Sequence, residues 1–194
     1  MSEIMLDVGQ ANELKLAFRR AGYTNADIKK MCKGDVLAQM LPVIRSFGKV
    51  DVVSNIIDCD ANPSIPQGWH VEEHRKGGEL KWDPAKVKFY LSSSQMNGKV
   101  VEGNKLRLEL EHEPVLNANI SDYLLAHPNL IPDEWGLDED GNVRHIFFWG
   151  TIYGIYEGEL FVRCICRCVG KWEAKYYWLG HNFNKANPAV RFIG

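Results

Sequence analysis

The sequence lacks any run of about 18 apolar residues, the length at which a segment reads as a membrane-spanning helix, and no membrane partner is expected. Its opening residues, Met1 to Asp7, carry neither a basic segment nor an apolar core, so nothing there reads as a secretion signal. Cysteine is scarce and odd in number: the five are Cys32, Cys59, Cys164, Cys166 and Cys168. That argues against a secreted disulfide framework, and the expected compartment is the reducing cytoplasm. An excess of positive charge is also missing. The 23 Lys and Arg against 25 Asp and Glu leave a formal net charge of -2, whereas a non-specific nucleic-acid binder usually carries a clear basic excess. There is no G-x-S-x-G element, no Ser-His-Asp arrangement and no Gly-rich phosphate loop, which removes common signatures of hydrolases and nucleotide binders. Internal repeats and low-complexity tracts are absent as well.

What is present is the composition of a folded chain, with 45% hydrophobic and 25% charged residues over 194 positions. Such a length buries most of its apolar surface without staples. The order of periodicities predicts an α+β fold: N-terminal helices, then β-hairpins and short helices, then a C-terminal antiparallel β-meander. Leu14, Leu16, Ala17, Phe18 and Ala21 form an apolar stripe that Gly22 ends, and Thr24 or Asn25 caps a second helix. Asp35 starts a third, with Val36, Leu37, Met40, Leu41 and Ile44 on its inner side and Pro42 to kink it. A boundary is drawn near residue 49, giving a helical region over 1–48 and an α+β domain over 49–194, unless the two are continuous. Asn117 is placed to cap a helix through Leu125. Strands are expected over His145–Tyr153, Leu160–Val169, Trp172–Leu179 and near Val190–Ile193.

Gly77-Gly78 suits a two-residue hairpin turn. Folding the chain there sets Arg75 opposite Leu80 and Glu73 opposite Trp82, with Trp69, Val71, Leu80 and Trp82 on one face. That reading bears on the H-x-x-E-H pattern at His70 to His74. Two zinc-binding imidazoles need one helix face, but in a strand they lie roughly 13 Å apart. Asp58-Cys59-Asp60 with Asn62 resembles the opening of a calcium loop, yet Pro63 and Trp69 stand where Gly and Glu are required. Cys164, Cys166 and Cys168 share one strand face at roughly 6.6 Å spacing, too extended for one tetrahedral ion and suited to small buried apolar groups. No cofactor is expected.

The terminal hairpin gives the strongest binding signal. With Gly170-Lys171 as its turn, Val169 faces Trp172 and Arg167 faces Ala174. One face then carries Arg163, Arg167, Trp172, Tyr176 and Trp178, residue types used in stacking, cation–π contacts and interface hot spots. The opposite face carries the cysteines with Glu173, Lys175 and Tyr177. Arg19, Arg20, Lys29, Lys30 and Lys33 on the N-terminal helices invite comparison with helix-turn-helix units, though solvated helix faces explain them too.

Gly68-Trp69, Val71 to Gly78, Trp82-Asp83-Pro84, Pro114 to Asn119, Leu130-Ile131-Pro132 and Phe148 to Thr151 resemble a group of uncharacterised bacterial proteins, many from ultra-small candidate-phylum bacteria. The resemblance covers most of the chain. It implies a bacterial origin and brings no activity, cofactor or site with it. The residues themselves therefore set the expectation: a non-catalytic binding protein using the Arg163, Arg167, Trp172, Tyr176 and Trp178 face. Its partner would be a protein, a single-stranded nucleic acid or a glycan. The alternatives are a metal-assisted hydrolase built on Asp58, Asp60, His70 and Glu73, and DNA binding through the N-terminal helices.

Overall fold

The computed structural model describes residues 7–34, 36–37, 41 and 56–193. Contacts divide the chain into two units, Met1–Val53 and Ser54–Gly194. In the first, α1 (Val8–Arg20) and α2 (Asn25–Met31) both begin with capping boxes. Asp7 and Thr24 each accept a backbone N–H, and Gln10 and Asp27 return the bond, which satisfies two otherwise orphaned donors at each start. No residue of either helix is buried, so the apolar stripe of α1 is not part of a described core. Arg19, Arg20, Lys29, Lys30 and Lys33 are all exposed. The expected third helix lies largely outside the described residues.

The second unit is an α+β domain. Its strands are β1 (Ile56–Asp58), β2 (His70–His74), β3 (Glu79–Lys81), β4 (Val87–Tyr90), β5 (Val101–Glu102), β6 (Ile146–Gly154), β7 (Leu160–Cys168), β8 (Lys171–Trp178), β9 (Asn182–Phe183) and β10 (Ala189–Phe192). Two helices, α3 (Gly103–Glu109) and α4 (Ala118–Ala126), complete it. The main sheet runs β4-β10-β6-β7-β8, with β2 also paired to β6. As expected, β6, β7 and β8 are an antiparallel meander.

Strand β6 is buried along its whole length, and its apolar residues divide between two cores. Ile146 and Phe148 join Ile165, Val190, Trp82 and Trp135 under Ile120 and Leu124 of α4. Phe147, Trp149 and Ile152 join Val162, Cys164 and Phe183 under Leu106 of α3. The register with β7 slips between Phe147 and Ile152. That slip returns Ile152 to the face of Phe147 and Trp149, since a strand otherwise alternates its faces with period two.

Two expected pairings differ. The expected hairpin at Gly77-Gly78 does not form: residues 75–78 run between the strands without a turn, and the strands go to different sheets, β2 pairing with β6 and β3 with β1. Asp60 holds this connection, its Oδ1 accepting Gly77 N–H at 3.0 Å and Gly78 N–H at 2.9 Å. In the terminal hairpin Arg167 pairs with Trp172 and Arg163 with Tyr176. The two loop residues are Val169 and Gly170, with φ of 48° and 79°, the left-handed pair that a type I′ turn requires. The register is therefore two residues from the expected one. An even shift leaves every side chain on its expected face.

Candidate binding cleft and surrounding residues

Along one edge of β6 the neighbour changes. β10 pairs with it in parallel at Phe147, and β2 pairs antiparallel from Thr151 to Gly154. The segment 114–117 fills the gap: Leu116 N–H donates to Val190 O at 3.0 Å, and Gly150 N–H to Leu116 O at 2.9 Å. Gly150 is required there, since a Cβ would stand 2.9 Å from the Asn117 backbone.

Asn117 and Thr151 close this seam with buried polar bonds. The Asn117 side chain accepts Asn119 N–H, capping α4, and donates to Cys59 O at 2.8 Å and Arg75 O at 2.9 Å. Thr151 Oγ1 accepts Ala118 N–H at 3.0 Å and lies 2.8 Å from His74 Nδ1. His74 Nε2 is 3.1 Å from Cys59 O. A carbonyl only accepts, so Nε2 carries the hydrogen in that bond, and the Thr151 hydroxyl is the partner of Nδ1.

A cleft of about 490 Å³ opens over this seam, within the range of small-molecule sites. Its apolar lining includes Leu80, Val115, Leu116 and Phe192, and Lys76, Lys81 and Lys86 also line it. Arg75 is committed to the Leu110 and Glu113 carbonyls, and Glu113 pairs with Arg191. The lysines make no ion pair among the described residues, although Lys86 Nζ lies 6.0 Å from the Phe192 ring centre. The Cys59 thiol in the lining is inert, with burial first and then Asp60 and Asp58 pushing it up to about 11. A larger, polar cleft of about 640 Å³ lies near His145 and Tyr177. Its Gln95 amide is spent on the Asn184 and Asn187 carbonyls, holding the loop before β10.

The expected Arg/Trp/Tyr face does not form one open surface. Arg163 is only 6% exposed and pairs with Asp122 of α4, while its guanidinium lies 5.7 Å from the Tyr176 ring centre. Half-buried Tyr176 packs against Trp69 at 5.1 Å and Tyr153 at 5.3 Å. Trp172 packs on the core that contains Trp135 and Ile165. Arg167, paired with Asp133 at 3.1 Å, and Trp178 are exposed, but they stand near opposite ends of the hairpin.

The carboxylates and histidine of the hydrolase alternative are likewise dispersed in function. Asp58 Oδ1 accepts Asp60 N–H at 2.9 Å, Asp60 accepts the Gly77 and Gly78 amides, His70 lies beside Glu72, and Glu73 pairs with Arg107. Among the described residues the group able to offer three metal-ligand atoms within 4.8 Å of one another is Cys166, Cys168 and Glu173. Spacing along a flat strand hides this cluster, because the two thiols lean together to 3.4 Å. The cleft was invisible for another reason: its lining comes from segments far apart in the chain. The spaced lysines at 76, 81 and 86 were its one local trace. Comparisons with protein-family models, curated proteins and solved structures give no match.

Proposed function

We propose that the protein is a non-catalytic binding protein whose ligand, a small molecule with an anionic end and an apolar body, occupies the cleft over the β6 seam. The observation that carries this reading is the pairing of an apolar floor with Lys76, Lys81 and Lys86, cations without ionic partners among the described residues. An apolar cleft with a few convergent polar groups is the usual form of a ligand site. The lining lysines outnumber the unpaired carboxylate of Glu79, so the cleft attracts anions and repels cations.

The probe for this is anilinonaphthalene sulfonate, an aromatic anion that fluoresces on entering an apolar site. The native protein is expected to bind one equivalent, more weakly as salt rises. Lys81→Glu with Lys86→Glu is expected to weaken it by roughly tenfold, or about 1.4 kcal/mol, with an unchanged circular dichroism spectrum. Binding that is indifferent to both charge reversals, or no binding by the native protein, overturns the proposal. Occupancy is tested separately with medium-chain carboxylates, which should displace the probe.

A further inference from the structure

At the far end of the terminal hairpin, away from the seam, four reactive or charged side chains gather on one face. Cys166 is buried, Cys168 half-buried and Glu173 exposed. Cys166 Sγ and Cys168 Sγ are 3.4 Å apart. Lys175 Nζ donates to Cys168 Sγ at 3.3 Å and lies 3.3 Å from Glu173 Oε1. Glu173 also accepts a hydrogen bond from Cys168, which with Lys175 lowers its carboxyl pKa.

Two chemistries compete for such a group. A thiophilic metal would use both sulfurs and the carboxylate, but three ligands fall one short of a closed zinc site. The place between Cys168 and Glu173 already holds a cation, the Lys175 ammonium, which a metal would have to expel. Thiol chemistry needs no such displacement. Cys168 is partly exposed and its sulfur touches the Lys175 ammonium, a cation placed to steady negative charge as it develops on that sulfur during attack, and a second thiol in contact supplies a partner.

We infer that Cys168 and Cys166 form a thiol–disulfide exchange site for small disulfides of the glutathione class, with Cys168 as nucleophile, Cys166 as resolving thiol and Lys175 as positioning residue. Cys168 gives its proton to solvent by way of Glu173, and its thiolate attacks one sulfur of the small disulfide. The S–S bond breaks, the departing thiolate takes a proton, and a mixed disulfide remains on Cys168. Cys166 then loses its proton and attacks Cys168 Sγ, expelling the second small thiol. In total two protein thiols are oxidised to one disulfide and one small disulfide is reduced to two thiols. Alternate strand positions stand roughly 6.6 Å apart, at the long edge of the usual Cα separation in disulfides. A bond at that limit suits reversible exchange better than a structural cross-link. Cys168 ends β7 beside the Val169-Gly170 turn. Burial, with Cys168 adding to it, pushes the Cys166 thiol up to about 11, which suits a group that acts second.

The test is full-length protein treated with glutathione disulfide at neutral pH, with adducts mapped by peptide mass spectrometry. Exposed Cys32 is the internal control. Cys166→Ser should retain one glutathionyl group on Cys168, formed at least tenfold faster than on Cys32, and the native protein should instead lose two hydrogens across Cys166 and Cys168. Lys175→Met should slow the Cys168 reaction roughly tenfold without changing Cys32, and Lys175→Arg should restore it. Labelling of Cys168 no faster than Cys32, or a rate indifferent to Lys175→Met, overturns the assignment. Stoichiometric zinc in protein purified without chelator, lost in Cys168→Ser, overturns it in favour of the metal.

Discussion

On one face of the β7–β8 hairpin Arg163 and Tyr176 lie beneath α4, and on the other Cys168 and Lys175 stand at an open end. The strands are the same and the residues alternate, so local conformation does not separate the two faces. What separates them is cover. Asp122 of α4 meets Arg163, and Trp69 closes over Tyr176. On the opposite face the core under α3 takes in Cys164 and Val162 and partly buried Tyr177, leaving Cys168 half-buried beyond it. Residue type alone points the other way, with arginine as a contact group and cysteine as filler. A side chain's role on a sheet is set by what the rest of the chain lays over it.

The largest effect is expected where that cover includes a charge. Asp122→Ala leaves the Arg163 guanidinium buried, with Nε and Nη1 already lacking a hydrogen-bond partner among the described residues. Breaking a buried pair from one side costs about 3 kcal/mol, which urea unfolding will register as a lower midpoint at constant slope. Replacing both partners, by Arg163→Met with Asp122→Leu, should recover most of the loss. If Asp122→Ala costs under about 1 kcal/mol, the pair is solvated and the covered face is open after all.

Next in size is the contrast between Trp172 and Lys175. Trp172→Ala removes a partly buried indole from the α4 core and should cost about 2 kcal/mol, near half the value for full burial. Lys175→Ala, on the opposite face, should cost no more than about 0.5 kcal/mol. Equal costs would erase the distinction between the faces. A smaller change of opposite sign is expected at the turn that joins them. Val169 is β-branched, fully exposed and held at φ 48°, a conformation that costs ordinary residues roughly 1 to 2 kcal/mol. Asn tolerates it better, so Val169→Asn should stabilise by about 1 kcal/mol and raise the melting temperature. A lower melting temperature would mean that the valine has a packing role the turn geometry conceals.

Much of the second unit was legible because its signals are local. Asn117 caps α4 from the position its side chain suggests. The meander strands begin and end within a residue or so of the expected bounds, and the even register shift at Val169-Gly170 spared the assignment of faces. Two kinds of information were not legible. Which strand β2 would pair with was decided by β6, some eighty residues downstream, and by the Asp60 carboxylate that occupies the Gly77-Gly78 amides. The Cys166–Cys168 contact was hidden because strand spacing fixes Cα positions while the sulfurs swing toward each other. The cleft depends on the first kind, since it exists only where β10 gives way to β2.

The smallest effect concerns His145, which precedes β6 on the side where the cysteines lie. Its ring packs 5.4 Å from that of Tyr177. Burial holds its pKa below the ordinary 6.5, the Lys175 charge lowers it further, and a hydrogen bond to the Val143 backbone opposes both. The unfolded chain keeps a proton that the folded protein has released, so between the folded pKa and about 6.5 stability falls as pH falls. Below the folded value both states are protonated and this contribution stops changing. His145→Gln should flatten that segment of the stability–pH curve, and Lys175→Met beside the native histidine should raise the lower, folded-state end of that window toward 6.5 and so narrow it. Histidine titration by NMR, unchanged by Lys175→Met, would mean that burial alone sets the shift and that the ammonium is committed wholly to Cys168 and Glu173.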